Sequence, residues 1–485
     1  MHKSTLYSKK STILISTSLA ALVSYYITSR YIVRRHCAVP LTFFRQNHNT
    51  VETINDGSLE DEEYEELSSR YLGVNVKGHK AFVLQPYVKW GPKKRRNTTP
   101  ELQLEEAVAL LKTLPNWSVV DELCVPLLNL EEKKLLGLGN LQKLKQRVRR
   151  NKEVTAVFVS TNLLKQVQIQ ELENVVGVPV YDRYSIVIQI FRAHAKSQEA
   201  KLQVAIAEIP YMWTKLNIAR EGPGSQITQI ECRRKLLQSR ETKLKNALKK
   251  LKAHRELLRS KRKSNNVPTI AVVGYTNAGK TSLIKALTGD DSLQPRNCLF
   301  ATLDVTVHRG ALPSRLKVLF VDTIGFIQDV PSTLIEPFVA TLEDAINADV
   351  ILHVNDASHP DRIAQMEHVE ETIKELIQNQ PIINVANKID LVKGDAPPLG
   401  MLGISATNLT GIDVLREELE KELFKATGHS VVRIRVQSGS RAAAWLYKET
   451  AVTNVEADPN NAQYLLMDVI ATQLQMNMFR QFLKQ

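Results

Sequence analysis

Residues 269–289 read TIAVVGYTNAGKTSLIKALTG. The apolar, β-branched run TIAVVG (269–274) has the pattern of a buried strand, and SLIKALTG (282–289) reads as a helix closing on glycine. Between them stands Gly274-Tyr275-Thr276-Asn277-Ala278-Gly279-Lys280-Thr281, the spacing G-x-x-x-x-G-K-[ST] in the strand–loop–helix context that a phosphate loop requires. The glycines let backbone N–H groups turn toward phosphate oxygens at a helix N-terminus. Lys280 is placed to neutralise the β/γ oxygens. Thr281, followed by Ser282, is placed to offer a hydroxyl to Mg2+.

Three further motifs follow in order, each at the end of an expected strand. LKVLFVD leads into Asp322-Thr323-Ile324-Gly325, an acid placed to hold Mg2+ through its water shell and a glycine whose backbone N–H can meet a γ-phosphate. PIINVAN leads into Asn387-Lys388-Ile389-Asp390, where the Asp390 carboxylate can accept from N1 and N2 of guanine. Ser405-Ala406 follows LGI, with a backbone N–H expected to read guanine O6. Four such motifs predict a GTP/GDP site. Residues 294–306 form the expected first switch, with Thr302 closing on the metal and γ-phosphate and Thr306 as a weaker alternative. Lys280, Thr302 and Gly325 are the expected catalytic groups. Phe326 stands where Ras-like proteins carry a water-orienting Gln, so intrinsic hydrolysis is expected to be slow. Asn277 reads equally as a monovalent-cation ligand (K+) or as a loop-stabilising side chain.

Upstream of this G domain (264–428), residues 80–183 alternate strand and helix patterns, predicting a small α/β domain with a mostly parallel sheet. Two long helical patterns follow over 184–263. Leu202, Ala205, Ile209, Met212 and Leu216 form one heptad seam; Leu237, Leu244, Leu251 and Leu258, with Leu248, form the other. Gly222-Pro223-Gly224 lies between them, so an antiparallel hairpin with a Gly-Pro-Gly tip is expected, kinked at Pro210. Residues 233–263 carry fourteen Lys/Arg against Glu241 and Glu256, a local charge of +12 within a chain total of +13. With the leucines turned to the partner helix, most of these cations face outward. Arg233, Arg234, Lys249 and Lys250, with the loop Gly222–Gly224, are the expected RNA contacts.

The termini complete the organisation. Residues 1–50 are Arg- and Ser-rich without an acid, as in a mitochondrial targeting segment; Ser11 to Ser29 is an uncharged run that also admits a membrane anchor. An acidic linker (51–79) follows, and 429–485 reads as a small α+β domain. Cys37, Cys124, Cys232 and Cys298 lie far apart, which excludes a disulfide scaffold and a Cys-based zinc site. Lone histidines such as His308 and His353 read as structural.

FATLD (300–304), DTIGFIQDVP (322–331), GVPVYDRYSIVIQIF (177–191) before EAKLQVAIAEI, and the Gly-Pro-Gly loop resemble the HflX family of translation-factor-related GTPases, most closely its mitochondrial branch. The resemblance spans roughly residues 80–428. It implies a monomeric GTPase that uses Mg2+ and binds the large ribosomal subunit and its rRNA, separating subunits or accompanying their assembly; a hydrophobic residue at Phe326 is a trait of similar proteins. Two stretches depart from it: Gly137-Leu138-Gly139-Asn140-Leu141 where similar proteins read G-S-G-K-L, and GPGSQITQIE where they read G-P-G-E-T-Q-L-E. A membrane-tethered regulatory GTPase and a non-enzymatic RNA-binding assembly factor are the competing expectations.

Overall fold

The computed structural model describes Tyr64, Ser68, Leu72 and residues 78–484, apart from 92–93, 95–96, 128, 131, 217–224, 265–266, 329, 331–333, 335–336, 339–346, 375–376, 378 and 393–399. Side chains at 225–230 and 254–264 are also outside the description. The expected targeting segment, nearly all of the acidic linker and the Gly222–Gly224 tip therefore lie outside the described residues.

The first layer is a four-stranded, wholly parallel sheet in the order β2-β1-β3-β4, built from β1 (Lys80–Val88), β2 (Ser118–Leu127), β3 (Ala156–Val159) and β4 (Val180–Asp182). Alternation along β1 sends Ala81 and Val83 to one face, against α1 (Pro100–Thr113), and Phe82 and Leu84 to the other, against α2 (Leu138–Arg150) and α3 (Gln166–Val176). Burial on both faces explains why β1 reads as a continuous apolar run. Thr99 caps α1 by accepting from Leu102 N at 3.3 Å, and Pro100 opens the helix where a missing N–H costs nothing.

The expected hairpin begins later than residue 184. Arg183–His194 forms a separate helix, α4, almost completely buried and capped by the Asp182 carboxylate accepting from Ser185 N at 2.9 Å. Then come α5 (Gln198–Leu216), continuous through Pro210, and the 40-residue α6 (Ser225–Ser264), which pack on each other. Leu202, Ile209, Met212, Leu216, Leu237, Leu244 and Leu248 are buried along the two seams. α5 also buries Gln203, Glu208 and Lys215, because it is covered by α4 as well as by α6. Glu208 accepts from Tyr64 Oη at 2.8 Å and pairs with Arg192, while Lys215 Nζ lies 3.9 Å from the fully buried Asp182.

The second layer is a six-stranded sheet, β10-β9-β8-β5-β7-β6. Its strands are β5 (Thr269–Gly274), β6 (Thr306–Ala311), β7 (Lys317–Asp322), β8 (Val350–Asp356), β9 (Ile382–Asn387) and β10 (Leu402–Gly403). All pairs are parallel except β6 on β7, an antiparallel edge absent from the sequence reading. α7 (Lys280–Thr288), α8 (Arg362–Lys374) and α9 (Ile412–Thr427) complete it. A three-stranded antiparallel sheet closes the chain: β11 (His429–Gln437), β13 (Tyr464–Thr472) and β12 (Ala451–Ala457), with α10 (Arg441–Glu449) and α11 (Gln473–Phe482). Ile470 of β13 is buried in the same apolar cluster as the G-domain sheet. Among the described residues no helix is long and apolar enough to cross a membrane.

Candidate guanine-nucleotide site

β5, β7 and β9 end together, and the segments that follow their carboxyl ends deliver the phosphate loop, Gly325 and Lys388 to one cleft of about 250 Å³, with Asp322 and Asn387 at the strand ends behind it. The loop's glycines are there for close approach. A Cβ on Gly274 (φ +155°) would lie 2.2 Å from Val354 O, and one on Gly279 (φ +91°) would lie 2.3 Å from Asn387 Nδ2. Gly325 abuts the same loop, since a Cβ there would meet Thr276 Cα and Cγ2 at 2.7 Å and Lys280 Nζ at 3.0 Å. Backbone pairing fixes this approach: Thr276 N donates to Phe326 O at 2.8 Å and Phe326 N to Gly274 O at 3.1 Å.

Lys280 Nζ donates to Tyr275 O at 2.8 Å and Gly274 O at 3.2 Å, which holds the ammonium over the loop. Burial pulls it down to about 8, with the Asp322 carboxylate acting in the opposite direction. Asp322 is 1% exposed and is pushed above its ordinary range by burial, against hydrogen bonds from Thr281 and Thr302 and the charge of Lys280. Its Oδ2 accepts from Thr281 Oγ1 at 2.7 Å and from Thr302 Oγ1 at 3.3 Å; the two hydroxyls are 3.1 Å apart. Asp322 Oδ1 is buried without a partner. Two hydroxyls and a carboxylate with one orphaned oxygen make an all-oxygen donor set that fits a hard divalent cation such as Mg2+. Thr302 thus stands where the first switch was expected to close. Thr306 begins β6 on the exposed edge and pairs with His308 at 2.9 Å.

At the base end, Asn387 is a brace. Its Nδ2 donates to Ala278 O at 2.9 Å and its Oδ1 accepts from Ala406 N at 3.1 Å. Lys388 (φ 64°) donates to Asn277 O at 2.8 Å and to Asp356 Oδ2 at 2.7 Å, while Asp390 lies exposed on the turn after it. Ser405 and Ala406 depart from expectation: Ser405 N is committed to Thr410 O and Ala406 N to Asn387 Oδ1. Reading guanine O6 through Ala406 therefore requires that amide to exchange Asn387 for the base. Ser282 lines the cleft. Thr323 and Ile324 do not: the Thr323 hydroxyl donates to Val272 O at 2.7 Å, and Ile324 packs in the apolar cluster. Tyr275 also turns away from the cleft, its hydroxyl donating to Glu106 Oε2 of α1 at 2.6 Å.

Sequence reading missed Arg296, Asn297 and Cys298, which line the cleft opposite the phosphate loop; only their place within the expected switch could have pointed to them. It also missed a second basic segment. Lys133 to Lys152 holds eight Lys/Arg and no acid, and Lys143, Arg149 and Arg150 of α2 are exposed. On α6, Arg234, Lys249 and Lys250 are exposed, Arg233 is half-buried, and Arg240 lies 3.7 Å over the Tyr64 ring.

Known proteins resemble this chain in sequence. Family profiles described as GTP-binding GTPase N-terminal, GTP-binding GTPase Middle Region and 50S ribosome-binding GTPase match residues 101–192, 194–262 and 269–388. Putative GTP-binding protein 6 of Xenopus laevis is 42% identical over 430 residues, covering 84% of this chain and 81% of that protein. The GTPase HflX of Caldanaerobacter subterraneus is 39% identical over 308 residues, covering 60% of this chain and 70% of that protein. This chain belongs to the HflX family of GTPases. Among solved structures, a GTP-binding protein of Sulfolobus solfataricus in complex with GDP is 25% identical, covers 71% of this chain and 99% of that one, and superposes with a TM-score of 0.39. As an HflX-family GTPase the chain binds GTP and hydrolyses it to GDP and phosphate. The three matched regions take in β2 to β4, then α5 and most of α6, then β5 to β9.

Proposed function

We propose that this HflX-family GTPase acts on the large subunit of the mitochondrial ribosome, binding its rRNA through the N-terminal layer and the basic helix α6 while GTP is bound. It promotes ribosome dissociation or large-subunit assembly, and γ-phosphate loss releases it. The observation that carries this reading is the division of α6. Leu237, Leu244 and Leu248 are buried on α5, while Arg234, Lys235, Lys243, Lys245, Lys249 and Lys250 are exposed. A long helix with one apolar seam and a cationic opposite face suits a phosphate backbone. The basic face of α2 extends the same character to the neighbouring layer. Mitochondrial placement rests on the acid-free, Arg- and Ser-rich residues 1–50.

In the mechanism, the phosphate-loop amides and Lys280 bind and orient the γ-phosphate, and Gly325 leaves room for backbone contact beside Lys280. Thr281 and Thr302 would hold Mg2+ directly and Asp322 through water, and the ion would supply positive charge against that developing on the phosphate oxygens. Asn277 would offer its amide oxygen to a potassium ion. Asp390 selects guanine, and Asn387 braces the loops around it.

The test is GTP turnover by a chain starting near Leu67, with and without mitochondrial large subunits. Stimulation of roughly 10³–10⁵-fold is the range known for partner-activated GTPases. The expected result is strong stimulation that Lys280→Ala abolishes. Binding should also weaken steeply with salt. Replacing Lys249 and Lys250 by Ala should lower the slope of log K against log salt by about 1 for each phosphate no longer neutralised. Absence of stimulation by organellar and cytosolic ribosomes alike would remove the ribosome from the reading.

A further inference from the structure

Four residues from four separate elements close a ring around the backbone of Gln328, three residues beyond Gly325. Gln328 N donates to Tyr275 Oη at 2.9 Å, and Tyr275 Oη donates to Glu106 Oε2 at 2.6 Å. Glu106 Oε1 pairs with Arg183 Nη2, which also donates to Gln328 O at 2.9 Å. Tyr275 belongs to the phosphate loop, Gln328 to the segment after β7, Glu106 to α1, and Arg183 is the first residue of α4. Two members are thus supplied by the N-terminal layer and two by the nucleotide sheet. Two of its members are buried, Tyr275 at 4% exposed and Arg183 at 3%, while Glu106 and Gln328 are half-buried. Burial, then the neighbouring Glu106 carboxylate, holds the Tyr275 hydroxyl well above its ordinary range, so it keeps the proton it donates.

We infer that Glu106, acting through Tyr275, and Arg183, acting on the Gln328 carbonyl, are positioning residues for GTP hydrolysis, holding the second switch where its backbone can serve the γ-phosphate. Phe326 supplies no hydrogen-bonding side chain to orient water, so catalysis depends on where the Gly325–Gln328 backbone stands. Thr302 lies against Asp322 and Thr281, and a Cβ on Gly325 would touch Lys280 Nζ at 3.0 Å. The ring fastens both backbone groups of Gln328 in that arrangement. Without it, the segment must be ordered anew in each transition state.

The inference rests on the chain's GTPase activity, which the wild-type protein reports in the same assay. Steady-state GTP turnover by the full chain is compared among Tyr275→Phe, Glu106→Gln and Glu106→Ala, with labelled-GDP affinity and thermal unfolding measured on each. Tyr275→Phe keeps the buried ring but removes the hydroxyl. It should lower kcat at least about fivefold while KM and GDP affinity stay within about twofold. Glu106→Gln retains an acceptor for Tyr275 and should keep more of kcat than Glu106→Ala. A structural cement would lower the unfolding temperature and leave kcat alone; that result overturns the inference. A rise in kcat overturns it too, because the ring would then be holding the switch off. Should Tyr275→Phe fail to bind GDP, the Glu106 pair decides by the same criterion.

Discussion

The Asn277 side-chain amide donates to Asn297 Oδ1 across 2.9 Å, joining the phosphate loop to the segment that leads to Thr302. Asn277 holds a positive φ of 60°, a conformation Asn tolerates better than most side chains. Its nitrogen is spent on the switch, which leaves the amide oxygen for a cation. Turnover in potassium should exceed that in sodium. Asn277→Ala should erase the difference, and Asn297→Ala, which removes only the acceptor, should preserve it. Initial rates at matched ionic strength check this.

The oxygen cluster around Asp322 predicts how Mg2+ dependence responds to substitution. Thr281→Ala and Thr302→Ala each remove one hydroxyl, and Asp322→Asn removes the charge behind them. Each should raise the Mg2+ concentration needed for half-maximal turnover by about 10–100-fold, the usual cost of removing a group that supports a metal site. Titration of turnover against Mg2+ reads this directly, and an unchanged midpoint for Asp322→Asn would overturn the assignment.

Gly325→Ala is a test of clearance. The added methyl meets the Thr276 backbone at 2.7 Å, and backbone cannot step aside as a flexible side chain can. Loss of kcat on the order of 10²-fold is expected, the scale seen when one backbone donor to a developing charge is displaced. GDP affinity should change far less, since the base-reading residues are untouched.

His353 gives a pH dependence that belongs to the fold and not to the chemistry. It is 1% exposed on β8, with Nδ1 3.0 Å from Asn384 Oδ1 and Nε2 without a partner. Burial lowers its pKa from 6.5 to about 4. The unfolded chain therefore takes up this proton first as pH falls. Stability is intact above about pH 6.5 and declines until about pH 4, by on the order of 3 kcal/mol from this group alone. Chemical denaturation of the wild type and His353→Gln across that window should show a shallower acid loss in the variant.

The nucleotide site was legible because phosphate and guanine impose particular residue types within a few positions of one another. Glycines at 274 and 279 are demanded by clearance, and Asn387 by the two loops it braces. The same logic misplaced Thr323 and Ile324, which occupy motif positions but pack inward, and it left Ser405 and Ala406 freer than they are. Nothing local announces Glu106 or Arg183, whose role comes from elements about 80 and 150 residues away in sequence from those they meet. α4 escaped as a separate helix for a different reason. RYSIVIQIF is β-branched and buried all round, so it shows neither a helical stripe nor a strand's alternation. The edge strand β6 carries polar and half-buried residues and has no apolar face to read.

α6 runs 40 residues, about 60 Å at the rise of an α-helix, and ends at Ser264, only a few residues before β5 begins at Thr269. The strand it feeds ends at Gly274, in the loop that grips the phosphates. The helix that carries the cationic face is thus close in sequence to the phosphate loop, and any energetic linkage between them must run in both directions. If contact with RNA tightens GTP binding by some factor, GTP tightens RNA binding by that same factor. Measuring nucleotide affinity with and without a bound RNA helix would thus also reveal how hard the nucleotide holds the protein on its target.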